Sequence, residues 1–155
     1  MTDKTELYAT LLQQAEALFS GEHDQIANAA NLSALIWNAL PDLNWAGVYR
    51  FDGHELVLGP FQGKPACVRI AMGKGVCGTA AAKRETIIVP DVHQFEGHIA
   101  CDSASNSEIV VPLVRGDTLH GVLDLDSSKF NRFDDEDRKG LEALAACWAR
   151  AIRSS

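Results

Sequence analysis

The sequence predicts an α+β fold, a mainly antiparallel sheet with helices packed on it. Three observations lead there. The first forty residues place apolar side chains at helical spacing. From Trp45 the period changes to two, and Asp52-Gly53 supplies a hairpin turn between two such runs. After a second set of alternating runs, an acidic tetrad at 134–137 opens a last stretch of helical spacing. A chain of 155 residues suits one domain. Residues 1–155 are therefore expected to form a single unit, with N-terminal helices over 3–40, sheet and site-bearing loops over 45–127, and a closing helix over 133–152. No repeat, low-complexity tract or linker interrupts it.

In order, Asp3 with Glu6 three residues on resembles a capping box, and Leu7, Leu11, Ala15 and Leu18 continue an apolar stripe to about Phe19. Ser20-Gly21-Glu22-His23 breaks it. Asp24 caps a second helix, whose apolar side carries Ile26, Ala29, Ala30, Ile36, Trp37 and Leu40 until Pro41 ends it. Trp45 to Phe51 reads as a strand, paired with His54 to Phe61. Gly47 between Trp45 and Tyr49 either leaves a gap beside the rings, as in a pocket wall, or admits a neighbouring backbone. Gln62 to Met72 reads as a long connection holding Cys67. Gly73 to Ala82 reads as a glycine turn running into a short helix that carries Cys77, with an N-terminus suited to an anion but no P-loop spacing. Glu85 to Val89 is a short strand. Val92 to Asn106 reads as a long loop holding His93, His98 and Cys101, and loops of that length are usually functional or disordered. Glu108 to Val114 and Leu119 to Asp126 form a second hairpin around Arg115-Gly116-Asp117. Leu141, Leu144, Trp148 and Ile152 stripe the last helix, where Cys147 reads as a small buried thiol.

Composition narrows the function. A net charge of -7 repels phosphate backbones, so neither nucleic acid nor an anionic membrane is an expected partner. No run is long and apolar enough for a spanning helix, and the N-terminus lacks the pattern of a signal peptide. The expected location is cytoplasmic. A disulfide there is more often transient and catalytic than structural.

Two constellations carry chemistry. Cys67, Cys77 and Cys101 sit in polar or glycine-rich segments, where a thiolate finds access and polar company. Their spacings match no zinc pattern, so no metal is expected, although His93 and His98 could in principle complete a metal site. The alternatives are three unreactive thiols, or a redox pair in which one thiolate attacks and a second thiol closes a disulfide. The acids form the other set. Asp124 and Asp126 share one face of a strand, opposite Leu123 and Leu125. That face is either solvated or charged for a purpose, since aspartate is disfavoured in strands and like charges repel. A substrate ammonium would offset the repulsion. Glu108, if buried, would have a raised pKa and could donate a proton. With Trp45 and Tyr49 as an aromatic wall, the inventory fits a free amino acid with an apolar, oxidisable side chain.

The run Val76-Cys77-Gly78-Thr79-Ala80, the segment Ile99-Ala100-Cys101-Asp102, the strand Ser107 to Leu113 and the segment Gly121 to Ser127 resemble free methionine-(R)-sulfoxide reductase, a stand-alone GAF domain. The resemblance covers nearly the whole chain. It implies a single GAF-like domain that reduces free L-methionine (R)-sulfoxide to L-methionine without a cofactor. It further implies Cys101 as the nucleophile that becomes a sulfenic acid, and Cys67 as the thiol that resolves it to a disulfide recycled by thioredoxin. Cys77 matches the family's third cysteine, whose role the resemblance leaves open, with shuttling of the disulfide as one choice. Glu108, Asp124 and Asp126 would hold the amine and protonate the leaving oxygen, and Trp45 and Tyr49 would pack on the methyl end. The competing reading is a ligand-sensing GAF module that binds a cyclic nucleotide or other small molecule without chemistry. Against it stand the acidic pocket and the lack of room for an output domain. A homodimer is compatible with the sequence.

Overall fold

Two helices open the chain in the computed structural model, which describes residues 3–98 and 104–152. Helix α1 (Lys4–Phe19) starts at Asp3, whose carboxylate accepts from the Thr5 N–H at 3.1 Å. The reciprocal bond from Glu6 is not among the described contacts, so the expected capping box is a simple N-cap. Helix α2 (Gln25–Ala39) is capped by Asp24, which accepts from the Ala27 N–H. Strand β1 (Trp45–Phe51) turns at Asp52-Gly53 into β2 (Glu55–Gly63), and the Asp52 carboxylate receives the His54 and Glu55 N–H groups. Then follow β3 (Arg69–Ala71), helix α3 (Gly75–Lys83), β4 (Ile87–Val89), a 3-10 turn (Val92–Gln94), β5 (Ser107–Arg115), β6 (Thr118–Ser127) and helix α4 (Asp135–Ala151).

The six strands form one sheet in the order β3-β2-β1-β6-β5-β4, and every described pair is antiparallel. Helices α1, α2 and α4 cover one face, over Ala46, Val48, Ile109, Val111, Leu113, Leu123 and Leu125. Helix α3 and the connections beside it cover the other, over Trp45, Tyr49, Val110 and Val122. The fold is thus the α+β architecture that the alternating runs imply, with both faces of the sheet buried.

Several local expectations are corrected. Leu18 and Ile26 lie outside the core stripes at 44% and 46% exposure, and Ala30 is also exposed. The core side of α1 runs through Tyr8, Leu11, Ala15 and Phe19 instead, and that of α2 through Asn28, Ala29, Leu32, Ser33 and Ile36. The connection from Gln62 is shorter than its sequence suggests. Strand β2 continues to Gly63, and Arg69–Ala71 pairs with Glu55–Val57 as an edge strand. Three residues between a loop and a glycine turn are too few to show a period of two. Glu85 and Thr86 precede β4 and do not belong to it. The long loop begins with a turn, because Asp91 accepts from the His93 N–H at 3.0 Å and starts the 3-10 segment.

A buried carboxylate joins the first and last helices. Asp134 caps α4 by accepting from the Glu136 and Asp137 N–H groups, and Asp137 returns the contact by accepting from the Asp134 N–H at 2.9 Å. The same Asp137, fully buried, accepts from Tyr8 Oη at 2.7 Å and from Lys4 Nζ at 2.7 Å, with the Arg132 guanidinium at 3.5 Å. Removing this acceptor strands several donors at once. Asp137→Ala is expected to cost about 3–5 kcal/mol, against about 1 kcal/mol for Tyr8→Phe, which deletes one bond. Urea denaturation measures both, and equal losses would contradict the shared-acceptor account.

Candidate active site

Strand register builds the site. Glu108 on β5 lies opposite Asp126 on β6, and Asp126 lies opposite Trp45 on β1. One rung along the same face, Val110, Asp124 and Gly47 are aligned, and the next rung holds Pro112, Val122 and Tyr49. Side chains two apart on a strand share a face, so three acids and two aromatics from distant parts of the sequence converge under α3. The face is not solvated. Glu108 and Asp124 are 6% and 5% exposed, and Asp126 is half-buried.

Helix α3 adds a thiol to this corner. Cys77 Sγ lies 3.9 Å from Glu108 Oε2. Ligand atoms of Cys77, Glu108 and Asp124 all lie within 4.8 Å of one another, a grouping that the sequence spacings did not show. Asp124 Oδ1 is buried without a hydrogen-bond partner. Burial pushes the Glu108 carboxyl well above the usual carboxylate range, and the charges of Asp124 and Asp126 push it further. Burial also raises Asp124, while hydrogen bonds from Glu108, Cys77 and Asp126 pull it back. Glu108 is therefore the member of the pair that holds the proton. Burial, then the neighbouring Asp124 and Glu108, push the Cys77 thiol well up. Cys77 is thus a buried, protonated thiol on a helix, not the accessible thiolate that its glycine-rich surroundings suggested.

The aromatic wall stands beside the acids. The Trp45 ring stacks on Tyr49 at 5.8 Å and on Phe61 at 5.2 Å between centroids. Gly47 leaves no gap there, since an added Cβ would lie 2.3 Å from Phe61 Cβ. The glycine lets β2 approach closely at a bulge, which corrects the pocket-wall reading of that residue, although both rings do line the cavity. The polar tips of the two rings hold the Cys67 segment in place. Trp45 Nε1 donates to Lys64 O at 3.1 Å, and Tyr49 Oη donates to Cys67 O at 2.8 Å. Burial raises the Tyr49 phenol pKa, and Asp124 adds to that, so it remains a donor.

These walls enclose a cavity of about 540 Å³ counted with its open mouth. The acids and Cys77 form one side, and Trp45, Tyr49 and Ile70 line it as well. Lys74, Gly75 and Val76 bring the start of α3 to it, where no side chain caps the first-turn N–H groups. His98 and Ser105 also line it, and Ser105 accepts from Asn44 Nδ2 at 3.0 Å. Ser105, Ile70 and Lys74 carried no motif, and only the fold reveals them. His98, its imidazole pKa lowered by burial and by His93, reaches the cavity. His93 is exposed and pairs with Asn106 Oδ1 at 3.0 Å, so the two histidines form no joint ligand set with the described cysteines. Cys67 is disulfide-bonded, and Cys77 and Cys147 carry free thiols. Cys147 is buried among the helices, as its setting predicted. Cys101 lies outside the described residues.

A curled antiparallel sheet with helices on one face and a small cavity on the other is the architecture of a GAF domain, and a family model of that description matches residues 24–153. The free methionine-R-sulfoxide reductase of Escherichia coli is 56% identical over 144 residues, covering 93% of this chain and 87% of the relative. Among solved structures, free methionine-R-sulfoxide reductase from Neisseria meningitidis in complex with its substrate superposes with a TM-score of 0.94. It is 44% identical and covers 98% of this chain and 92% of that one. The fRMsr of Staphylococcus aureus, complexed with substrate, has a TM-score of 0.90 at 50% identity, covering 94% of this chain and 95% of that one. The chain belongs to the GAF-domain family and, within it, to the free methionine-(R)-sulfoxide reductases. Among the described residues no helix is long and apolar enough to cross a membrane.

The acid corner makes a pH-dependent contribution to stability. A carboxyl whose folded pKa is raised binds a proton in the folded state that the unfolded chain has already lost. Stability is then fully present below the unfolded value near 4.5 and declines as pH rises toward the folded value. Glu108→Gln removes that decline. In urea melts from pH 5 to pH 8 the variant should gain on the parent by up to about 1.4 kcal/mol per pH unit. Parallel stability curves would contradict a protonated Glu108.

Proposed function

We propose that this protein reduces free L-methionine (R)-sulfoxide to L-methionine by thiol chemistry. The observation that carries the reading is the unpartnered, buried Oδ1 of Asp124, a residue that lines a cavity together with Glu108, Asp126 and the stacked rings of Trp45 and Tyr49. An ammonium group satisfies such an oxygen and offsets the like charges around it. The rings suit the methyl-sulfur end, and the uncapped start of α3 suits the carboxylate. A zwitterion with one apolar arm meets all three, and the E. coli relative is named for that substrate.

The redox step follows from the cysteines. Cys101 thiolate attacks the sulfoxide sulfur, Glu108 supplies a proton to the departing oxygen, and the oxygen passes to Cys101 as a sulfenic acid while methionine leaves. The sulfoxide gains two electrons and the cysteine sulfur loses two. Cys67 then attacks the sulfenic sulfur, forming a Cys67–Cys101 disulfide and releasing water. Thioredoxin, a cytoplasmic dithiol, returns both cysteines to thiols by exchange and becomes the disulfide itself. Supporting this pairing, Cys67 is disulfide-bonded while Cys77 and Cys147 are free. Cys77 serves as packing under the acids, since a buried protonated thiol is a poor nucleophile.

With thioredoxin, its reductase and NADPH, the protein should consume the free R epimer and ignore both the S epimer and peptide-bound sulfoxide. NADPH oxidation at background would overturn the reading. Cys67→Ser should retain one stoichiometric reduction and lose turnover, whereas Cys101→Ser loses both, and equal turnover in the two variants would reverse the roles. Tyr49→Phe, which frees the Cys67 carbonyl, should slow disulfide closure more than the first reduction, as rapid-quench titration of free thiols would show.

A further inference from the structure

The acid corner has the composition of a metal site as well as of an amine site. Cys77, Glu108 and Asp124 offer one sulfur and two carboxylate oxygens, all buried, and all within 4.8 Å of one another. In a tetrahedral zinc site a thiolate and a carboxylate oxygen stand about 3.5 Å apart, from bond lengths near 2.3 and 2.0 Å. The observed separation of Cys77 Sγ and Glu108 Oε2 is 3.9 Å, so a contraction of a few tenths of an ångström closes that edge. A second observation is the unmet hydrogen-bonding capacity at Asp124: its Oδ1 is buried without a partner and its residue lines the cavity, so the carboxylate has lone pairs left to offer a cation.

We propose that Cys77, Glu108 and Asp124 bind one divalent, borderline-soft metal ion, zinc by its ligand chemistry, with the cavity side left as the open position. Thiolate with carboxylates selects zinc or cobalt over calcium and magnesium, which prefer oxygen alone. Binding displaces the protons of Cys77 and Glu108 to solvent, so that a thiolate and two carboxylates face the dication. The ion occupies the place of the substrate amine, so zinc excludes methionine sulfoxide. That last consequence rests on the function proposed above, and the binding itself does not.

The test uses the disulfide-intact protein, in which Cys67 is already bonded, titrated with cobalt(II) chloride. A sulfur-to-cobalt charge-transfer band should grow in the near ultraviolet, saturate at one equivalent and vanish when one equivalent of zinc is added. Cys77→Ser should lose the band. Asp124→Asn, close in shape to the parent, should weaken cobalt binding by about tenfold or more, since even outer partners of a metal site cost that much. A thermal melt confirms that each variant is folded. If Cys77→Ser does not fold, Asp124→Asn alone decides. No band, a band kept in folded Cys77→Ser, or unchanged affinity in Asp124→Asn would each overturn the proposal. Absence of the band in a protein that still reduces methionine sulfoxide removes the metal site alone. A band in a protein without that activity removes the reductase reading alone.

Discussion

Three carboxyl groups and a thiol share one dry corner of this sheet, and the rest of the site is arranged around that crowding. Glu108 and Asp126 face each other across the β5–β6 ladder, where two like charges repel. Asp124 lies one rung away and is covered by the same helix. Burial makes full ionisation costly. The corner is tolerable only with protons retained or a cation admitted. Under the function proposed above, the retained proton goes to the leaving oxygen and the admitted cation is the substrate ammonium.

The remaining groups follow from the same geometry. Register places Trp45 beside Asp126, so the apolar wall and the acids are neighbours by strand pairing and not by loop accident. The indole and phenol tips then bond the backbone at Lys64 and Cys67, which ties the Cys67 segment to the aromatic wall. On the opposite face the helices need no chemistry. Their shared buried acceptor, Asp137, holds α1 against α4 and leaves the other side of the sheet for the cavity.

Much of this is legible in the sequence. The change of period at Trp45, the Asp52-Gly53 turn and the alternation around Asp124 specify strands because side chains there must sort between two faces. The same alternation placed Asp124 and Asp126 together. It could not say whether their face was wet or dry, because that depends on where α3 packs. Cys77 misled for the same reason. Glycines around a thiol suggest openness, yet here they let a helix pack closely, as at Gly78, where an added Cβ would lie 2.4 Å from Ala71 O. Strand β3 was too short to show periodicity. The meeting of Cys77 with Glu108 depends on tertiary packing, and no spacing rule encodes it.

The sheet has one further property. Its outermost strands, β3 and β4, are three residues each, whereas the interior strands β5 and β6 run to nine and ten. A flank that short offers few free amides and carbonyls to a strand from another molecule. The long central strands, with the apolar run Ile109 to Val111, are therefore kept from the rim. Stub edges around a long-stranded centre thus disfavour edge-to-edge association between copies.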